Sequence, residues 1–212
     1  MSKNLGQVLR SGQVLGLFAI AAAGMLAGTH ALTADRILQS ERQRLLRQLQ
    51  EVLPRGAYDN DVAADRIEFT SAQLDATQPV TVYRARRGGQ PVAAVMTVTA
   101  PDGYSGAIQM LVGVGHDGHL TGVRVTGHKE TPGLGDKIDS QRTDWILRFD
   151  GKSLADPAAS GWAVKKDGGA FDQFAGATIT PRAVVKAVHR SLQYFEQNRE
   201  TMFSSAAEGG DS

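Results

Sequence analysis

The chain has 212 residues, room for one domain of ordinary size and an appendage. Its charges nearly cancel, at a formal +1, which gives no support to a nucleic-acid partner. There is no cysteine, so thiolate zinc or iron–sulfur sites, thiol catalysis and internal disulfides are excluded.

Residues 1–13 are short and basic, with Lys3 and Arg10. Residues 14–34 are almost uninterrupted apolar or small side chains, broken by Thr29, His30 and Thr33 near the far end. About 20 helical residues cross a bilayer core, so this run predicts a single transmembrane helix. The basic residues before it predict a cytoplasmic N-terminus. The run is long for a cleaved signal peptide, and Ala27-Gly28-Thr29-His30-Ala31 is an imperfect cleavage site, so an uncleaved anchor is expected.

Over residues 35–54 the apolar positions Ile37, Leu38, Leu45, Leu46, Leu49, Val52 and Leu53 recur at helical spacing. This predicts an amphipathic connecting helix that ends at Pro54, its apolar stripe in a core. Residues 55–78 are mixed, with Tyr58, Ile67, Phe69 and Leu74 as anchors, and predict a connection with one short strand. Strands are then expected over 80–86, 92–99, 107–114 and 120–127. Gly88-Gly89 marks a turn between the first two, and His116-Asp117-Gly118-His119 a hairpin turn between the last two. His116 and His119 therefore read as turn residues, and no metal site is expected.

Residues 139–149 predict a helix, through Ile138, Trp145, Ile146 and Phe149. Residues 162–165 predict a short strand. The last helix is expected from Pro181 to about Met202, with Ala183, Val184, Ala187, Val188, Leu192 and Phe195 on one face. Thr180 is the expected N-cap and Pro181 the first helical residue. The tail, 204–212, is small and acidic and expected to be disordered. The sum is an α+β domain over 55–203, with a mainly antiparallel sheet flanked by helices, on one membrane anchor.

Two segments could carry chemistry. The first is Asp172-Gln173-Phe174-Ala175-Gly176-Ala177-Thr178-Ile179-Thr180. Thr178 places a hydroxyl on a small-residue loop just before a helix, whose first turn offers unpaired N–H groups and a positive dipole end. That suits a phosphate. The second is His128-Lys129-Glu130-Thr131-Pro132-Gly133-Leu134-Gly135-Asp136-Lys137. Its composition reads equally as a plain strand-to-helix connection and as an open loop able to wrap a planar ring, with Leu134 against the face. There is no Gly-x-Gly-x-x-Gly after a strand and no phosphate-binding Gly-x4-Gly-Lys-Ser/Thr loop.

His-x-Glu-Thr-Pro-Gly-Leu-Gly followed by Asp-x-x-x-Gly-Ala-Thr-x-Thr resembles the FMN-binding domain family of respiratory ion pumps. The close matches are the G subunit of the Rnf electron-transport complex and the C subunit of the sodium-pumping NADH:quinone oxidoreductase. The short length resembles the Rnf member more. The resemblance implies FMN joined to Thr178 through a phosphoester, placed there by a flavin transferase that uses FAD. It implies that Asp172, Gly176 and Ala177 present the hydroxyl, and that Glu130, Thr131, Leu134 and Gly135 contact the flavin. Lys137 and Lys165 lie near enough in sequence to help neutralise phosphate or a reduced flavin.

The implied role is an electron carrier, with no catalytic acid–base dyad, in an ion-translocating oxidoreductase of a bacterial inner membrane. Its domain would be periplasmic, beside other membrane, iron–sulfur and flavin subunits. A stand-alone anchored flavin reductase, or the sodium-pump member of the family, is the alternative. Two positions depart from the pattern: Ala175 stands where the family often has Ser or Thr, and Gln173 where the sodium-pump member often has Gly.

Overall fold

The computed structural model describes residues 2–53, 56–74 and 79–204. Pro54, part of the 55–78 connection and residues 205–212 of the expected tail lie outside them. The chain divides into two compact units, Met1–Arg44 and Leu45–Ser212.

The first unit is helix. Helix α1 runs Ser2–Val52 and carries on into the second unit. Its stretch Gly12–His30 is long and apolar enough to cross a membrane, with a mean hydropathy of 1.6 and none of it buried. Of the amphipathic stripe, the core takes in Leu49, Val52 and Leu53, while Ile37 stays exposed.

The second unit is built on a five-stranded antiparallel meander in the order β1-β2-β3-β4-β5. The strands are β1 (Arg66–Phe69), β2 (Val80–Arg87), β3 (Gln90–Ala100), β4 (Ile108–Gly115) and β5 (Leu120–Gly127). The four strands expected between residues 80 and 127 are each present within a residue or two of their predicted ends. The turns use the expected residues: Gly88, Gly89 and Gly118 all have positive φ, which a non-glycine side chain resists.

Alternation along the strands buries both faces. Val82, Met96, Val98, Met110, Val112 and Val123 join one core with helix α2 (Ile179–Phe203) and the segment between β5 and α2. Tyr83, Ala85, Ala93, Val95 and Leu111 join a second core with Leu49, Val52 and Leu53. The paired Gly113 and Gly122 make the second contact possible. A Cβ on Gly113 would stand 2.6 Å from the Val52 carbonyl, and one on Gly122 would stand 3.0 Å from Val52 Cα. The Thr121 hydroxyl donates to that same carbonyl.

The expected helix over 139–149 is replaced by 3-10 turns at Gly135–Ile138 and Asp144–Phe149. Side chains interrupt it. Asp139 Oδ1 accepts from Gln141 N–H, Thr143 Oγ1 accepts from Trp145 N–H, and Asp139 itself is extended. The apolar spacing there serves an aromatic cluster rather than a helix face. Phe149 stacks on Phe171 at 4.5 Å between centroids, and Trp145 meets Phe149 and Phe174 edge-on. The expected strand 162–165 is reduced to a single parallel bridge, Val164 to Phe171, followed by a 3-10 turn.

Candidate functional site

Three loops and the start of α2 converge at one cavity. The loop after β5 turns at Thr131-Pro132-Gly133-Leu134, where Leu134 N–H donates to the Thr131 carbonyl at 3.1 Å. Proline in second place and Gly133 at φ 78° in third are what a type II turn requires. Gly135 N–H donates to the same carbonyl, also at 3.1 Å. The loop before α2 closes the same way: Ala177 N–H donates to the Phe174 carbonyl, and Gly176 has φ 79°. Gly176 is thus demanded by its own turn.

Helix α2 begins two residues earlier than expected. Thr178 occupies the N-cap position, and Thr180 and Pro181 lie inside the first turn, where a missing proline N–H costs nothing. Thr178 is itself helical, at φ −81° and ψ −30°, and its side chain makes no capping hydrogen bond. The Thr180 hydroxyl, expected as the cap, instead donates to the buried carboxylate of Glu130. Glu130 also accepts from Ser105 N–H at 2.9 Å, and its own N–H donates to His128 Nδ1 at 3.1 Å. One carboxylate therefore joins three segments.

The cavity these segments enclose is about 320 Å³. Glu130, Thr131, Leu134 and Gly135 line it from one loop, and Gly176, Ala177, Thr178, Ile179 and Thr180 from the other. Tyr104 comes from the loop between β3 and β4. The structure thus brings seven of the ten sequence-predicted residues to one place. From Leu45 onward, the large hydrophobic side chains left exposed among the described residues are Tyr104, Leu134 and Ile179, and all three line this cavity.

Asp172, Lys165 and Lys137 do not line it. Asp172 accepts from Lys165 Nζ at 2.5 Å and from Arg148, and its carbonyl accepts from Trp145 Nε1 at 2.7 Å. The Lys165 hydrogen bond first, and then the charges of Lys165 and Arg148, hold the Asp172 carboxyl below its usual range. Asp172 therefore pins the start of the loop. Lys137 is half-buried in its 3-10 turn, where its carbonyl accepts from the Thr143 hydroxyl at 2.6 Å. Gln173 accepts from Lys166 N–H, and Ala175 is exposed at the second place of its turn.

Tyr104, Arg148 and the Glu130–Thr180 bond were not read from the sequence. Only Tyr104 had a local signal: an aromatic residue between Gly103 and Gly106, in a loop with no apolar alternation to place it.

Known proteins align with the chain over nearly its full length. It is 51% identical over 204 residues to the G subunit of the ion-translocating oxidoreductase complex of Pseudomonas aeruginosa, covering 96% of this chain and 95% of that one. The chain belongs to the RnfG family. The corresponding protein of Pseudoalteromonas atlantica is 50% identical over 202 residues, covering 95% and 94% of the two chains. That of Vibrio cholerae is 43% identical over 198 residues, covering 93% and 95%. The profile of the FMN-binding domain family matches residues 103–193, and that of the RnfG N-terminal region matches residues 1–52. The first span takes in every residue that lines the cavity.

Proposed function

We propose that this protein is an FMN electron carrier of an ion-translocating oxidoreductase complex, with the FMN phosphate esterified to Thr178. The observation that carries this reading is Thr178 itself. Its hydroxyl caps nothing at the head of a 25-residue helix, yet it lines a cavity of the size that small ligands occupy.

The residues present fit such a group. No lysine or arginine lines the cavity among the described residues, so the start of α2 supplies the positive end for a phosphate. Thr178 stands at the N-cap, beside the N–H groups that the first turn leaves without an intrahelical partner. Glu130, Thr131, Leu134 and Gly135 would hold the ring, with Leu134 and Ile179 keeping water from its apolar part. FMN, when bound, takes and releases electrons singly or in pairs. The protein supplies attachment, orientation and an environment.

Residues 14–34 would anchor the chain in the bacterial inner membrane, with the N-terminus in the cytoplasm and the domain in the periplasm. The supports are the apolar run and the two basic residues before it. Partner proteins of the same complex would exchange electrons with the site. A flavin transferase using FAD would install the cofactor, with Asp172 holding the loop in the shape that the transferase meets.

The test is ultraviolet fluorescence of the full-length chain on a denaturing gel, beside Thr178→Ala, both made with a flavin transferase. A fluorescent wild-type band and a dark variant are expected. A dark wild-type band, or fluorescence that persists in the variant, refutes attachment at Thr178.

A further inference from the structure

We infer that Tyr104 is the aromatic wall of the flavin site, lying against the isoalloxazine ring when FMN is attached. This role rests on the FMN reading of the cavity.

Three observations carry it. Tyr104 is the one aromatic side chain among the described residues that line the cavity. It is also 69% exposed, a large apolar ring left in water, and no hydrogen bond or ring contact with another of the described residues engages it. An isolated exposed ring needs no explanation, but this one belongs to the apolar rim around a single cavity.

The third observation is that its loop is built to hold it there. At the loop's base, Asp102 accepts from Lys186 of α2 at 2.9 Å. At the residue after the tyrosine, Ser105 N–H donates to buried Glu130 at 2.9 Å. Between them the chain folds back so tightly that a Cβ on Gly103 would stand 2.2 Å from the Gly106 carbonyl oxygen, while Gly106 has φ 121°. A loop tied at both ends and closed on itself, with an unpartnered ring at its tip, is a preformed arm. A planar, electron-poor ring offers such a side chain a face to stack on. Leu134, an aliphatic side chain on a different loop, also lines the cavity. A ring admitted there has one aromatic and one aliphatic wall within reach.

Stacking on a phenol ring leaves an optical trace. An electron passes from the tyrosine ring to the light-excited flavin and returns, so emission is quenched with no net oxidation. The experiment compares full-length wild type, Tyr104→Phe and Tyr104→Ala, all made with a flavin transferase. Two quantities are read: gel fluorescence after denaturation, which reports flavin on Thr178, and the ratio of native to denatured emission at equal flavin. Equal gel fluorescence in all three is expected. The native emission of wild type should lie well below its denatured value. Tyr104→Ala should lose most of that quenching, and Tyr104→Phe, which keeps a ring that donates less readily, should lose part of it while keeping the wild-type visible circular dichroism. Equal gel bands with an unchanged emission ratio in Tyr104→Ala overturn the role of Tyr104 and leave the covalent flavin standing. A dark wild-type band removes the ring that Tyr104 would cover and overturns both.

Discussion

The hydroxyl of Thr180 donates to the carboxylate of Glu130, a residue fifty positions earlier in the chain, and both side chains are buried. This bond closes the cavity, because Ser105 N–H meets the other carboxylate oxygen. Gly135 packs so close that a Cβ there would lie 2.9 Å from both Glu130 Oε2 and Thr180 Oγ1.

Removing either partner strands the other. Thr180→Val keeps the shape and removes the donor, with an expected stability loss of about 1–3 kcal/mol. Glu130→Leu leaves both donors without their acceptor, the buried Thr180 hydroxyl among them, and should cost more than Glu130→Gln, whose side-chain oxygen can still accept from Ser105. Urea midpoints rank the three. Flavin loading of Thr178 in the same samples should fall in the same order.

Trp145→Phe should loosen the loop before α2 without emptying the core. The ring contacts with Phe149 and Phe174 survive the change, and the Nε1 hydrogen bond to the Asp172 carbonyl does not. The expected stability loss is about 1 kcal/mol. A slower time course of flavin incorporation onto Thr178, with purified transferase and FAD, is the second readout.

Gly113→Ala should lift the end of α1 from the sheet. The added methyl would meet the Val52 carbonyl at 2.6 Å and Thr121 Oγ1 at 2.5 Å, and backbone cannot yield as a side chain can. Overpacking of this kind costs about 1–3 kcal/mol. Gly122→Ala, whose methyl meets Val52 Cα at 3.0 Å, should cost less. Limited proteolysis at the end of α1 would report both, with Gly113→Ala cut sooner.

Acid should weaken the domain through His189. Its ring stacks on Trp162 at 5.1 Å, and burial lowers its pKa. A histidine held neutral in the fold takes up its proton more readily once unfolded. Stability is therefore full above the unfolded value of about 6.5 and falls as pH drops through it. His189→Gln should be less stable at pH 8 through loss of the stack. It should also show a flatter decline between pH 8 and pH 5, as read from denaturant midpoints at each pH.

The sheet was legible because its residues obey a local rule. Val80 to Arg86 alternates, Val92 to Met96 is a short apolar run rich in valine, and glycines stand where the chain reverses. The two motif loops were legible by composition, and the structure brings most of their residues to one cavity. The segment from Asp139 to Lys165 was not. Trp145, Ile146 and Phe149 mimic a helix face, but their spacing answers to Phe171 and Phe174, which lie further along the chain. The N-cap was misplaced for a related reason. Thr180 is the expected cap because Pro181, suited to a first helical position, follows it, and a buried carboxylate with no local signature claims its hydroxyl first. Arg148 and the loop that carries Tyr104 owe their places to contacts across the fold.

The uncapped start of α2 has a consequence for how the molecule matures. A threonine that leaves its oxygen out of the cap forgoes about 1 kcal/mol of helix stability. The newly folded chain thus carries an unfinished helix whose head is short of one anion. A phosphate fixed on that oxygen would complete it, so the modified chain should resist unfolding better than its precursor. Installation of the cofactor there would then double as the last step of folding.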